Sequence, residues 1–248
     1  MTGLLATGTD SLTQHDIARG ATWADKLREA NRNGSREKSR QWHFVNVEIS
    51  HPDLNGACFG HRPIPTGTVA SNGPAQDCVV DKIEQFTAEL ASPATDPEEP
   101  IVALRFLLHF VGDLHQPLHA SDDNDRGGND NRVSAPGLGA GNLHHFWDTE
   151  SVDQPGADAR SIAANLIGHM SKAQQQDWSQ GLPADWAQES FQIARDDAYG
   201  RLPQSNAHRV YVLADDYLSM AIQDVALQLS KVGVRLTFIL NNALRSSR

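Results

Sequence analysis

Residues 101 to 114, IVALRFLLHFVGDL, are apolar almost all the way round a helix, with Leu104, Leu107, Leu108 and Val111 among them. Such a helix has no face to give to water and belongs at the buried centre of a fold. It nevertheless carries His109 and Asp113. Four residues apart, the two lie on one helix face and aim an imidazole and a carboxylate at one point. A carboxylate on so apolar an element is costly unless it is paired or bound to a metal. Asp113 could satisfy that need by accepting a hydrogen bond from His109 or from an arginine in the core. The same spacing recurs, however, at His144 and Asp148, and His119 lies between the two pairs. Imidazole nitrogen and carboxylate oxygen are zinc-type donors, and a site needs three or four of them converging. The pattern points to a zinc-dependent hydrolase. His115 sits about 240° round the helix from His109 and is not expected at the same site. His145 faces away from His144 and reads as a supporting or structural group.

At 248 residues, with 39% hydrophobic content and a mean hydropathy of -0.46, the chain is long enough for a real core and reads as soluble and globular. No run approaches the length of a membrane span. The formal charge of -10 argues against a protein that coats nucleic acid through general electrostatics. It leaves open an enzyme acting on phosphates, because bound zinc would supply local positive charge. Cys58 and Cys78 are either two buried thiols or one disulfide closing a Gly/Pro-rich loop. The N-terminal MTGLLATGTDSLTQHD has neither a basic n-region nor an apolar core, so it is no signal peptide. Taken literally, the chain stays in the cytoplasm.

Helical patterns dominate. Thr13 and Asp16 resemble a capping box opening a helix through Ile17, Ala21, Ala24 and Leu27. Residues 31 to 42 read as a polar loop or helix end, and HFVNVEI (43 to 49) as a short extended segment. Residues 50 to 77 read as a long loop. Val79, Ile83, Phe86 and Leu90 share a helix face, and Pro100 suits the start of the next helix. Residues 121 to 142 read as a long glycine-rich loop of the sort that lines a site. A helix holding His144 and Asp148 should follow, then helices at 157 to 174 and 184 to 199. The last helix should run from about 207 to 243, with Val210, Leu213, Tyr217, Ala221 and Val225 on its recurring face. With no strand pattern of any length, the expected fold is one all-α domain over residues 1 to 248.

The strings ATWAD (21 to 25), WHFVN (42 to 46), LLHFVGDLHQPLH (107 to 119), DRGGND (125 to 130) and NLHHFWDTE (142 to 150) resemble the zinc-dependent single-strand nuclease and 3′-nucleotidase family, the S-one/P-one type. LSKVGVRLTFILN (229 to 241) resembles that family's C-terminal helix, so the likeness covers nearly the whole chain. It implies a multi-helix fold of the phospholipase C and single-strand nuclease kind, with three zinc ions in a cleft. By motif position, Asp25, His43, His109 and Asp113 would bind one zinc, and His119, His144 and Asp148 a second with room for water and phosphate. Asp113 would also reach a third. Arg28 matches the arginine that neutralises phosphate charge. Asp25, Arg28 and Asp113 are the residues assigned to catalysis. Phe44 stands where the family stacks a nucleobase, and Asn46 where it contacts the base edge. Asn129 is placed to orient its loop or touch a supporting group. Cys58 and Cys78 fall where many bacterial-type members place a disulfide.

One departure bears on mechanism. The family's third zinc is held by an N-terminal tryptophan exposed by signal cleavage and by an early histidine. This chain has no Trp before Trp23 and no His before His15. A signal peptide and the first zinc-binding segment are therefore expected to be missing, with His15 the one nearby substitute. The complete protein would be secreted or periplasmic. The resemblance implies hydrolysis of single-stranded DNA and RNA to 5′-phosphorylated products, with 3′-nucleotides also substrates. The chain as written is expected to bind two zincs, to hydrolyse slowly or not at all, and to act as a monomer without a stable protein partner or membrane. The alternatives are a zinc-dependent phospholipase C and an inactive metal-binding remnant; the ATWAD and GDLHQPLH strings favour the nuclease.

Overall fold

The computed structural model describes residues 17–30, 35–92, 96 and 98–246. The capping box at Thr13 and Asp16, and His15, lie outside them. The described residues are mostly helical, as expected. In chain order the main helices are α1 (Trp23–Ala30), α2 (Val79–Ala91), α3 (Glu99–Leu114), α4 (Leu143–His145), α5 (Ala159–His169), α6 (Lys172–Trp178), α7 (Pro183–Ile193) and α8 (Asp215–Ser246). They group into two compact units, one within 1–45, 55–113 and 235–248, the other within 46–54 and 114–234.

In the first unit the apolar α3 is buried, as its composition requires: Ala103, Leu104, Leu107, Phe110 and Val111 are all fully covered. Its Phe106 stacks between Phe86 of α2 (4.6 Å) and Phe110 (5.0 Å), and the edges of Trp23 and Trp42 close the cluster at 5.2 and 5.8 Å. The helix expected through Ile17 to Leu27 is broken. A four-residue turn of helix, Ile17–Gly20, ends at Ala21–Thr22, and α1 begins at Trp23. Residues 35 to 42, expected in a loop or helix end, wind into a 3₁₀ helix, Ser35–His43, which also takes in the first residue of the expected extended segment. A disulfide joins Cys58 and Cys78, which settles the choice between thiols and a bridge. A short helix, Leu54–Ala57, leads into Cys58, and the loop the bridge closes contains a 3₁₀ turn, Ala70–Asn72.

The second unit holds what the strand-free expectation missed: a three-stranded sheet, β1 (Arg132–Ala135), β2 (Leu138–Asn142) and β3 (Val210–Val212), in the order β2-β1-β3. β1 and β2 form an antiparallel hairpin inside the supposed loop, and β3 runs parallel to β1. Glycines in β2 hide the alternation that marks a strand. Val210 and Leu213, assigned by spacing to the last helix, precede it; α8 starts at Asp215, where Asp215 and Asp216 suit the positive end of the helix dipole. The pattern at 157 to 174 is two helices, divided at Ser171, whose hydroxyl caps α6 through the Gln174 amide. The core is built on Trp147, Phe146, Tyr217, Leu143 and Val225. Trp147 donates to the Tyr217 hydroxyl, which donates to the Ala198 carbonyl. No described helix is long and apolar enough to cross a membrane.

Candidate metal centres

The break in the first helix has a chemical use. It leaves the Ala21 carbonyl facing α3, where it accepts a hydrogen bond from His109 Nδ1 at 2.6 Å. With that proton committed, neutral His109 carries a lone pair on Nε2. This nitrogen stands 3.1 Å from Asp113 Oδ2 and 3.1 Å from His43 Nδ1. His43 Nδ1 is 2.9 Å from Asp113 Oδ2, and Asp25 Oδ1 lies 3.8 Å from His109 Nε2 and 3.9 Å from His43 Nδ1. Four donors about 2.0 Å from one zinc in a tetrahedron stand about 3.3 Å apart. The observed separations bracket that value.

The surroundings ask for positive charge between these atoms. Burial pushes the His109 imidazole down, but the Asp113 and Asp25 carboxylates and the Ala21 carbonyl more than reverse this and hold it at about 9. His43, packed edge-on against Phe110 at 5.1 Å, is pushed below its ordinary value by burial. Arg28 lies one turn along α1 and binds Asp25 Oδ1 at 2.8 Å, with 40% of its side chain exposed. Phe44 is half-buried.

A second group stands in the other unit. His119 Nε2 is 3.2 Å from His144 Nε2 and 3.7 Å from Asp148 Oδ1, and Asp148 is 46% exposed. Three donors with an open side are the arrangement of a site that keeps a position for another ligand. His144 follows the same rule as His109: its Nδ1 donates to a main-chain carbonyl, that of Gly127, at 2.8 Å, and Nε2 faces the other donors. Asp148 lies on a π-helical turn, Phe146–Glu150, that continues α4.

The loop supplying the Gly127 carbonyl is fixed by groups that sequence reasoning did not single out. Gly127 and Gly128 have φ of +62° and +83°, and a Cβ on Gly127 would lie 2.6 Å from the Leu118 carbonyl oxygen. Asp125 Oδ1 accepts from the Gly128 amide (2.8 Å) and the Tyr199 hydroxyl (2.8 Å), and Oδ2 from Asn131 Nδ2 (2.6 Å). The glycine pair was a visible signal; Tyr199, seventy-four residues from Asp125, gave none. Asn129 donates to the Arg126 carbonyl and shapes the same turn. His115 is buried beside Trp186 and His145 is exposed, and neither belongs to a metal-type group among the described residues. Asn46 is exposed.

The donor chemistry fits a zinc-class cation at each centre: lone pairs of two imidazoles and one or two carboxylates converge, with the outer ring nitrogen of one histidine in each fixed by a main-chain carbonyl. The family described as S1/P1 Nuclease matches residues 4–245. Endonuclease 2 of Arabidopsis thaliana is 30% identical over 188 residues, covering 68% of this chain and 63% of its own length. Nuclease S1 of Aspergillus oryzae is 29% identical over 185 residues, covering 71% and 58%. Nuclease P1 of Penicillium citrinum is 31% identical over 147 residues, covering 59% and 47%. The chain thus spans about three fifths of the length of the first two relatives. With its motifs in order and residues 4–245 matched, the chain belongs to the S1/P1 nuclease family.

Proposed function

We propose that this protein is a zinc-dependent phosphodiesterase that cleaves single-stranded DNA and RNA to 5′-phosphorylated products and also acts on 3′-nucleotides. The observation that carries the reading is the convergence of Asp25, His43, His109 and Asp113 donors on one point. Family membership and the three-donor group of His119, His144 and Asp148 support it. One zinc ion would be held at each group. Zinc there would supply Lewis acidity to a phosphodiester and lower the pKa of water towards ~7. The chain's own side chains do the rest. Asp25 and Asp113 neutralise the cation and fix its position. Arg28, exposed beside Asp25, presents N–H donors to a phosphoryl oxygen. Phe44 offers a ring face to an unpaired base, and Asn46 an amide to a base edge. A duplex keeps its bases stacked on each other and gives Phe44 nothing to hold. The disulfide supports an oxidising compartment, secreted or periplasmic.

The test is hydrolysis of a fluorescent single-stranded oligonucleotide by the zinc-loaded full chain, beside a His119→Ala variant and a duplex of the same sequence. Slow cleavage with 5′-phosphate ends, lost in the variant and weaker still on the duplex, is the expected result. A chain carrying zinc at both centres that leaves the oligonucleotide intact would overturn the reading of this chain as an active nuclease and make it the inactive metal-binding remnant. Hydrolysis of phosphatidylcholine in its place would move the assignment to a phospholipase C.

A further inference from the structure

Apart from the two centres, one more cluster of metal-type donors occurs among the described residues. Cys58 Sγ, Cys78 Sγ and a carboxylate oxygen of Asp81 lie within 4.8 Å of one another. All three residues are buried: Cys58 is 1%, Cys78 0% and Asp81 6% exposed. Asp81 lies in the first turn of α2, just after Cys78. Its Oδ1 pairs with His61 Nδ1 at 2.6 Å. Its Oδ2 is buried without a well-formed hydrogen bond, the Cys78 main-chain N–H being the carboxylate's other polar neighbour. A buried carboxylate oxygen left so is expensive, and burial raises the Asp81 pKa accordingly. His61 reaches the carboxylate through a left-handed turn in which Phe59, Gly60 and His61 have φ of +53°, +77° and +50°. Two sulfurs and a carboxylate braced from behind by an imidazole form a donor set that the disulfide itself does not need.

We propose that the Cys58–Cys78 bridge is a latent metal site: on reduction, both thiolates and Asp81 bind one thiophilic divalent cation of the zinc class, with His61 orienting Asp81. Thiolate sulfur selects such cations over magnesium or calcium. Ligating carboxylates are held by an outer hydrogen bond in the way His61 holds this one. The chemistry closes with a phosphine as reductant. Its phosphorus gives up an electron pair, takes oxygen from one water and becomes the phosphine oxide. The S–S bond breaks, and the two hydrogens of that water end on the two sulfurs. The cation then displaces those two protons. The ion would restore the link across the 20-residue separation that the S–S bond had closed. It would also keep the start of α2 in place, where the Val79 amide donates to the Phe44 carbonyl.

The experiment uses the full chain, reduced with a water-soluble phosphine, freed of excess reagent and titrated with Co²⁺. Sulfur-to-cobalt charge transfer in the near ultraviolet reports only this cluster, because the other two centres offer nitrogen and oxygen. We expect that band to saturate with one cobalt bound at the cluster in the reduced protein, beyond the two equivalents that the other centres take up. It should be absent from the oxidised protein and from a Cys58→Ser/Cys78→Ser variant, and to need at least tenfold more Co²⁺ in Asp81→Asn. Far-ultraviolet circular dichroism is followed throughout. A reduced chain that keeps its helical signal and shows no band overturns the proposal, as does loss of that signal on reduction. Equally tight binding by Asp81→Asn removes the carboxylate from the site and the proposal with it.

Discussion

Replacing Tyr199 with phenylalanine removes one hydroxyl and leaves the ring. The lost bond runs to Asp125 Oδ1 at 2.8 Å, from a half-buried phenol whose pKa is pushed up by burial and by that carboxylate. A hydrogen bond to a charged group contributes about 1.5–3 kcal/mol. Asp125 keeps its bonds to the Gly128 amide and to Asn131, so the loop retains most of its anchorage and the low end applies. A loss of about 1.5 kcal/mol lowers Tm by roughly 3–6 °C in a chain of this size. Because this loop carries the Gly127 carbonyl that orients His144, metal affinity at the second centre should fall about tenfold, the lower end for an outer-shell partner. Affinity at the first centre should not change. Competition titration against a chromophoric chelator resolves the two classes of site, and calorimetry gives the melting shift. A Tyr199→Phe protein that melts lower but binds both ions as tightly as the parent would refute the link from Tyr199 to His144.

Apparent affinity at the first centre should rise with pH up to about 9, where His109 loses its proton, by roughly tenfold per pH unit while one proton is displaced per ion; a flat profile between pH 6 and 8 would refute this. In the metal-free protein the same raised pKa stabilises the fold fully below 6.5, and that contribution disappears as pH climbs through about 9. Lys82 is completely buried, 3.1 Å from Asp77, its ammonium over the Trp42 ring at 3.8 Å, and burial brings its pKa from 10.5 down to about 8. Its folded pKa lies below the unfolded one, so the charged form carries a penalty of about 3 kcal/mol below pH 8. Urea unfolding should show that contribution to stability growing between pH 8 and 10.5, and the growth should be absent in Lys82→Met. That variant leaves the buried Asp77 without its cation, with the Gln85 amide still donating to it at 2.9 Å, and should lose about 3 kcal/mol at pH 7, the low end for a broken buried pair. Gly127→Ala places a Cβ against the Leu118 carbonyl at positive φ; a cost of about 2 kcal/mol or more is expected, with weakened binding at His144, and a neutral effect in both assays would show the loop to be more yielding than its geometry implies.

The donor residues were legible because helix spacing forces them together: His109 with Asp113 and His144 with Asp148 share a face whatever the rest of the fold does. The mostly helical character was legible for the same reason, since α2 and α8 repeat their apolar residues with a 3.6-residue period. Val210 and Leu213 show where that logic fails. They continue the period of α8 by coincidence, and only the hydrogen bonds of β1 reveal that Val210–Val212 is a strand. The split at Ala21–Thr22 was signalled only by Gly20, a single glycine that a helical pattern can tolerate, with ordinary helix residues around it. Tyr199 was invisible because a contact across seventy-four residues leaves no periodic trace.

His109 and His144 are both aimed by main-chain oxygens, those of Ala21 and Gly127. Any residue has such an oxygen, so mutation of the side chain at position 21 cannot delete this support; it can only move it. Substitution of the side chain at position 21 is therefore expected to leave the imidazole angle unchanged wherever the main chain keeps its course. A conventional alanine scan would pass over the feature, since the position is already alanine. An amide-to-ester replacement of the bond between Ala21 and Thr22, which weakens the carbonyl as an acceptor without altering any side chain, is the perturbation that would expose it.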